Sequence, residues 1–244
     1  MQCQNTSGTL KISTDSRNIN LNDVYLPLKG ENFDGHDFIK SAVDKGARGY
    51  FTSDKNLIFS QAKFILYVEN TLEAYLKIAL MYKERINPVT VAVTGSSGKT
   101  TTKEMMASVL AEAYRIHKSP LNHNNEVGLC QTLLSMPENT EVLILEMGMR
   151  GLGEIDVLSK YSKPDIAIIV NTGSTHLERL GSLRNIAKAK CEIANHLHEE
   201  GLLIAHDTKL IRSENKYKGQ TLYIDFDSDE LKNIKLNGYV GKRK

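Results

Sequence analysis

The sequence has few cysteines, little net charge and no long apolar run, and each shortage excludes a class of protein. Its three cysteines lie far apart without metal-type spacing, which argues against a disulfide framework. A net charge of +2 gives no support for a partner held by bulk charge. No apolar segment reaches the length needed to span a bilayer. We therefore expect no nucleic-acid partner and no membrane insertion.

The amino-terminal segment, MQCQNTSGTLKIS, is polar and lacks the apolar core of a signal peptide. Together with the odd number of cysteines, this favours a cytoplasmic protein with reduced thiols. Hydrophobic residues make up 41% of the chain and charged residues 25%, which is ordinary for a soluble globular protein. The length of 244 residues favours two domains.

The hydrophobic pattern changes near the middle of the chain. Residues 10–70 mix short apolar runs with turn signals, and helical periodicity is present over 36–46 and 71–85. Asn87-Pro88 then breaks the second helix. We predict a first domain over residues 1–87 and a second over 88–244.

Strands and helices alternate in the second domain. The predicted strands are VTVAV, EVLILEM, DIAIIVN and GLLIAH, and the predicted helices span 100–114 and 183–199. Continuous apolar strands between helices indicate a parallel sheet covered on both faces. The polar segment from about residue 208 shows no clear closing element. The expected fold class is α/β: a small mixed α/β domain, then a domain with a mostly parallel sheet, incomplete at its C-terminal end.

A glycine loop, GSSGKT at residues 95–100, joins a predicted strand to a predicted helix. Glycines allow a tight turn, the helix start carries partial positive charge, and Lys99 adds a full one. Thr100 or Thr101 offers a hydroxyl to Mg²⁺. The first glycine precedes the second by three residues, which departs from the usual phosphate-loop spacing. The strand–loop–helix context favours a phosphate-binding loop over a chance glycine turn.

Polar side chains follow other predicted strands. Glu146, Asn171 and His176 each come after a strand end, so they are expected to share one crevice with the glycine loop. A carboxylate after a buried strand is costly without a partner, which Mg²⁺ beside a phosphate would supply. The alternatives are a carboxylate that faces water and a histidine that is structural or exposed.

Three further segments leave their roles open when they are taken alone. Lys190 lies on a helix among alanines and is expected to be solvated. The asparagines of LNHNNEVG, at 122, 124 and 125, are equally suited to turns and helix caps. In the first domain, Thr14–Arg17 offers donors and acceptors for a polar ligand, whereas DGHDF is equally a turn with a cap at Asp34.

In order along the chain, these segments resemble the Mur ligase family, the ATP-dependent amide-forming enzymes of peptidoglycan synthesis. The glycine loop TGSSGKTTTKE, TDSR and LKGENFDGHDFI resemble family motifs. NHNNEVG, EMGMRGLGEI, THLERLGS and AKAKCEI are similar to the members that add D-alanyl-D-alanine to UDP-N-acetylmuramoyl-tripeptide. The resemblance implies an N-terminal UDP-substrate domain, a P-loop-type central domain that binds ATP and Mg²⁺, and a monomer.

The resemblance also implies roles for individual residues. The ATP-phosphate site comprises Gly95, Ser96, Ser97, Gly98, Lys99, Thr100 and Thr101. The implied Mg²⁺ site comprises Thr100, Glu146, His176 and Lys190, with Lys190 carbamylated to an anion. The implied catalytic residues are Lys99, Lys190 and His176. Asp15, Ser16 and Arg17 fall on the uridine-nucleotide pocket, and Asn124, Asn125 and Glu126 fall where the substrate approaches the phosphates.

Two alternatives remain beside this hypothesis. Family enzymes carry a third, C-terminal domain that has no counterpart in this sequence, which leaves open a non-catalytic module that captures UDP-muramyl peptide or ATP. The second alternative is an amino-acid-adding ligase of the same family. Such ligases share DSR and the glycine loop but usually carry a different segment in place of NNEVG.

Overall fold

The computed structural model describes residues 11–30, 32–175 and 177–225. It divides into two compact units, Met1–Ile78 and Ala79–Lys244. The division falls inside helix α2, Thr71–Ile86. The end of α2 belongs to the second unit because the Tyr82 hydroxyl donates to the Met136 carbonyl at 2.9 Å. The domain boundary at Asn87-Pro88 stays a prediction.

The first unit is built on a parallel sheet in the order β1-β2-β3-β4. Its strands are β1 Ile12–Ser13, β2 Val24–Tyr25, β3 Gly49–Thr52 and β4 Phe64–Tyr67. The helix expected over 36–46 is divided into a 3-10 turn, Gly35–Phe38, and helix α1, Ile39–Asp44. The Asp34 side chain accepts the His36 N–H at 3.0 Å and so caps the 3-10 turn.

The core of the first unit lies between α1 and the sheet. It contains Ile39, Ala42 and Val43 of α1 together with Tyr25 and Tyr50 of the strands. Both tyrosine hydroxyls are satisfied inside this core: Tyr25 donates to the Gly35 carbonyl at 3.0 Å and Tyr50 donates to the Leu57 carbonyl at 2.8 Å. Buried phenols therefore fix the loops that surround the sheet.

The second unit alternates strands and helices as predicted. Its strands are β5 Val89–Thr94, β6 Ile116–Lys118, β7 Val142–Glu146, β8 Ile166–Ile169, β9 Leu202–His206 and β10 Gln220–Ile224. Its helices after α2 are α3 Lys99–Leu110, α4 Glu126–Leu134, α5 Glu154–Ser162, α6 Leu177–Leu180, α7 Leu183–Cys191 and α8 Lys209–Glu214. The α/β fold class is thus confirmed.

The second sheet is parallel and has the order β10-β9-β8-β5-β7-β6. From β5 the chain fills one side with β6 and β7, then crosses to the other side for β8, β9 and β10. The loop after β5 therefore lies where the strand order reverses, the position at which parallel sheets bind ligands.

Three segments of the second unit differ from the sequence predictions. The helix expected over 100–114 ends at Leu110. The helix expected over 183–199 ends at Cys191 and continues as a 3-10 turn, Glu192–Ala194. The chain then returns toward β9, and the His198 N–H bonds to the Pro164 carbonyl at 3.0 Å. The polar segment after residue 208 forms α8 and the edge strand β10. Within the described ranges, no helix is long and apolar enough to cross a membrane.

Candidate functional site

The glycine loop turns the chain from buried strand β5 into α3. Gly98 is the N-cap of α3 and has a φ of 78°, a conformation that favours glycine. A glycine cap has no side chain to accept hydrogen bonds, so no side-chain cap covers the first-turn N–H groups of α3. Uncapped N–H groups and the positive end of the helix dipole form an anion-binding position.

Asn171, which follows β8, anchors the serines of the loop. Its Oδ1 accepts the N–H groups of Ser96 and Ser97, each at 3.0 Å, and its Nδ2 donates to the Ser97 carbonyl at 3.0 Å. The Ser96 hydroxyl is also bound to the backbone of Gly173. The two serine N–H groups are thus occupied by the scaffold. The anion-facing N–H groups are therefore those at the start of α3.

Glu146 ends β7 directly behind the start of α3. Glu146 is only 7% exposed. The Thr100 hydroxyl donates to Oε2 at 2.8 Å, and Asn124 Nδ2 donates to Oε1 at 3.3 Å. Lys103 Nζ lies 3.7 Å from Oε2. The predicted strand-end carboxylate is therefore buried among partners and does not face water.

The sequence reasoning missed Lys103. The segment TTTKEMM reads as a solvated helix start, yet Lys103 is 0% exposed. The available signal is helical spacing, because Lys103 follows Lys99 by four residues and Thr100 by three, and so shares their face.

The asparagines before α4 have separate positions. Asn125 caps α4 by accepting the Gly128 N–H at 2.9 Å. Asn124 reaches Glu146, and its carbonyl accepts the Gly148 N–H at 2.8 Å. A Cβ on Gly148 would lie 2.9 Å from Asn124 Cγ, so this approach requires glycine. Asn125 is thus a helix cap, which is one of the two roles expected for these asparagines. Asn124 and Asn125 both line the cleft.

Lys190 is buried, and the expectation of a solvated helix lysine is wrong. It is 1% exposed because the face of α7 that carries Ile186 and Ala187 packs into the unit. Burial and the nearby charge of Lys99 lower the pKa of Lys190 to about 7. Among the residues that the structure describes, none forms a hydrogen bond or ion pair with its amine.

Several of these groups line one cleft of about 330 Å³, whereas Glu146 and Asn171 contact the glycine loop without lining the cleft. It is lined by the predicted residues Gly95, Lys99, Asn124, Asn125, Glu126 and Lys190, and by Met149, Arg150 and Glu154, which were not predicted. The Lys99 amine donates to the Gly95 carbonyl at 2.9 Å, which turns the lysine back over the loop. The predicted metal ligand His176 lies outside the described residues, so its role stays a prediction.

The first unit has a cavity of about 570 Å³ lined by Thr14, Asp15, Ser16 and Arg17. The Asp15 carboxylate accepts Arg17 Nε and Nη2, both at 2.9 Å, and these bonds hold the pKa of Asp15 well below its usual range. Lys45 donates to the Ser16 carbonyl at 2.9 Å.

Aromatic side chains complete the same cavity. Tyr25, Phe33 and Phe38 line it, and Phe33 is 57% exposed. Sequence reasoning did not select these residues, because aromatic residues in a turn-rich segment read equally as core. The cavity combines exposed charges with ring faces.

Two family models match the two parts of this chain. The model of the Mur ligase middle domain matches residues 93–240, and the model described as the Mur ligase family catalytic domain matches residues 11–88. A UDP-N-acetylmuramoyl-tripeptide–D-alanyl-D-alanine ligase of Bacillus subtilis is 43% identical over 211 residues, covering 86% of this chain and 46% of that protein. The Synechocystis protein of the same name is 40% identical, covering 90% of this chain and 49% of its own length.

The solved structures give the same match. The structure of MurF ligase from Thermotoga maritima in complex with ADP superposes with a TM-score of 0.83 at 33% identity, covering 90% of this chain and 51% of that one. The chain spans about half the length of the relatives it matches.

Proposed function

This chain belongs to the Mur ligase family, and we propose that it supplies the UDP-substrate and ATP-phosphate sites of a ligase that joins D-alanyl-D-alanine to UDP-N-acetylmuramoyl-tripeptide. One observation carries the proposal. Lys99, at the uncapped start of α3, lines the same cleft as buried Lys190, and the next residue, Thr100, is hydrogen-bonded to buried Glu146. The relatives at 40–43% identity bear the name of this reaction.

The cleft suits the phosphates of ATP. Lys99 and the first-turn N–H groups of α3 supply positive charge where charge on a transferring phosphoryl group would need neutralising. The ADP complex of the Thermotoga relative, which shares this fold, supports a nucleotide here. Asn124, Asn125 and Glu126 also line the cleft and are proposed to contact the incoming substrate.

The residues beside the loop fit Mg²⁺. Glu146 offers carboxylate oxygens and Thr100 a hydroxyl, the oxygen ligands that Mg²⁺ prefers. Among the described residues, no group of three or more His, Cys, Asp or Glu side chains could hold a metal alone. That fits an ion completed by water and substrate phosphate. When bound, Mg²⁺ would neutralise phosphate charge, and His176 is proposed as a further ligand.

Lys190 has the environment that carbamylation needs. A carbamate forms when the neutral amine attacks CO₂ and loses a proton, and a lysine with a pKa of about 7 is substantially neutral near physiological pH. The product would place an anion beside Lys99 and replace a buried cation that lacks a partner among the described residues. We propose that this carbamate helps to fix a second Mg²⁺.

The proposed chemistry has two steps. The peptide carboxylate attacks the γ-phosphorus of ATP in line, so that an acyl phosphate forms and ADP leaves. The amine of D-alanyl-D-alanine then attacks the acyl carbon, forms the amide, and releases phosphate. Lys99 and the α3 N–H groups stabilise phosphoryl charge in the first step.

The cavity of the first unit is proposed to bind the uridine nucleotide of the substrate. The Asp15–Arg17 pair and the Ser16 backbone offer polar contacts, and Phe33 and Phe38 offer ring faces for a base. A monomeric state and a cytoplasmic location stay predictions.

Phosphate release measured on the native protein tests the proposal. Release should require ATP, UDP-N-acetylmuramoyl-tripeptide and D-alanyl-D-alanine together. Substrate binding without release would indicate the binding module instead. Release with UDP-N-acetylmuramoyl-dipeptide and a diamino acid, but without the tripeptide, would identify the amino-acid-adding alternative.

A further inference from the structure

Lys103 is a fully buried lysine to which the proposed reaction gives no role. It lies on α3 one turn after Lys99 and is 0% exposed. Burying a cation costs free energy unless its neighbours compensate for the lost hydration. The neighbours of Lys103 therefore indicate its role.

Three groups surround the Lys103 amine. It donates to the Ser119 carbonyl at 2.8 Å, and it lies 3.3 Å from Glu104 Oε1 and 3.7 Å from Glu146 Oε2. Glu104 is half-exposed and is also paired with Lys118 at the surface. Because Glu104 is half-exposed, solvent screens its charge, and the buried Glu146 is the carboxylate that depends on the charge of Lys103.

The contact with Glu146 is electrostatic. At 3.7 Å the amine is beyond hydrogen-bond distance from Oε2, whereas the Thr100 hydroxyl donates to that oxygen at 2.8 Å. Ser119 also fixes the backbone of Glu146, because the Ser119 hydroxyl accepts the Glu146 N–H at 3.1 Å. Ser119 thus fixes the backbone of Glu146, and Lys103 places a positive charge beside its carboxylate.

We propose that Lys103 is a positioning residue whose fixed charge balances Glu146 in the metal-free site and weakens the binding of a free divalent cation, so that Mg²⁺ binds together with a phosphate. The inference rests on the proposed function, in which Glu146 is a metal ligand. A buried monocation repels a divalent cation on the same carboxylate with little screening. The negative charge of a nucleotide phosphate offsets that repulsion.

The inference is tested by titrating the full chain with Mn²⁺ in the absence of nucleotide. Electron paramagnetic resonance measures the concentration of free Mn²⁺. Lys103→Gln removes the charge and keeps a donor for the Ser119 carbonyl. We expect it to bind Mn²⁺ about tenfold more tightly than the wild type, a difference of about 1.4 kcal/mol. The increase should be smaller when ADP is present.

Lys118→Gln is the matched control. Lys118 is paired with the same Glu104, but it does not contact Glu146. The control variant should leave Mn²⁺ affinity unchanged, and Lys103→Arg, which keeps the charge, should do the same. Equal or weaker Mn²⁺ binding by Lys103→Gln would overturn the inference. A merely structural lysine would give weaker binding through damage to the site.

Two further results separate this inference from the proposed function. If Glu146→Gln leaves Mn²⁺ affinity unchanged, the metal assignment itself fails. If Glu146→Gln abolishes binding while Lys103→Gln matches the wild type, only the inference fails. Should Lys103→Gln not fold, Lys103→Met is titrated in its place. Failure of both to fold, while Lys118→Gln folds, would make Lys103 a structural counter-ion and overturn the inference.

Discussion

The candidate sites of the two units carry their charges in different surroundings. In the first unit the exposed Arg17 forms an ion pair with the partly exposed Asp15. In the second unit Lys103, Glu146 and Lys190 are buried. Exposed pairs contribute little to stability, whereas buried charges require fixed partners. Substitutions in the first site are therefore expected to change ligand binding without changing stability, whereas substitutions in the second site are expected to change both.

The largest effect is expected at the phosphate loop. Lys99→Ala removes the full positive charge at the uncapped start of α3, and charged hydrogen bonds to phosphate are among the strongest that proteins make. We expect ADP affinity, measured by isothermal titration calorimetry, to fall about 100-fold. In the native protein, ATP-dependent phosphate release should be lost.

Lys188 is an exposed lysine on α7, and Lys188→Ala is the control for Lys99→Ala. This variant should bind ADP like the wild type. Near-normal ADP affinity in Lys99→Ala would refute the phosphate assignment.

Asn171, which anchors the glycine loop, should show most clearly that stability and ADP binding change together in the second unit. Asn171→Ala removes the bonds that hold Ser96 and Ser97. We expect both a loss of about 1 kcal/mol in the free energy of unfolding, since the half-buried Ser96 N–H and the exposed Ser97 N–H lose a hydrogen-bond acceptor, and about tenfold weaker ADP binding. Denaturant unfolding and calorimetry measure the two quantities.

Asn195→Ala also removes an asparagine hydrogen bond in the second unit, but away from the loop. It should leave ADP affinity unchanged. If Asn171→Ala loses stability but binds ADP like the wild type, stability and ADP binding are not coupled at this site.

Carbamylation of Lys190 should depend on pH. Because burial lowers its pKa from 10.5 to about 7, the amine is protonated and unreactive below neutral pH and increasingly neutral above it. Carbon-13 NMR with labelled bicarbonate should show a protein carbamate signal that grows as pH rises from 6 to 8. Lys190→Gln should lack the signal, and Lys188→Gln should retain it. The same signal in Lys190→Gln would assign the carbamate to another residue.

The smallest effect on stability is expected in the first unit. Asp15→Asn weakens the contact with Arg17, which is solvent-exposed. We expect the melting temperature to stay unchanged and UMP affinity to fall about tenfold, because Arg17 loses its fixed orientation. Asp44→Asn, which weakens an exposed pair with Lys40, is the matched control. A lower melting temperature without a change in UMP binding would reverse the comparison between the two sites.

The sequence predicted most of the second unit because its apolar strands and its glycine loop are local signals. The loop residues, Glu146 and the strand-end position of Asn171 follow from strand, loop and helix order alone. The burial of Lys190 and Lys103 does not, because it depends on how α7 and α3 pack. A lysine in AKAKC or TTTKE is equally compatible with solvent. The resemblance gave Lys190 its role and gave no role to Lys103.

The first unit was less predictable for the opposite reason. Its strands β1 and β2 have only two residues each, so no periodicity can be read from them. Asp15, Ser16 and Arg17 were selected by resemblance, and they do line one cavity. Phe33 and Phe38 enter that cavity through the turn before α1, a placement that residue types alone do not specify.

A crystal structure of the chain with ADP and Mg²⁺ would test the phosphate-site assignment most directly. We expect the β-phosphate to contact Lys99 and the first-turn N–H groups of α3, and we expect Thr100 and Glu146 to hold the Mg²⁺ ion. A nucleotide bound elsewhere, or phosphates that leave Lys99 and the start of α3 free, would contradict it.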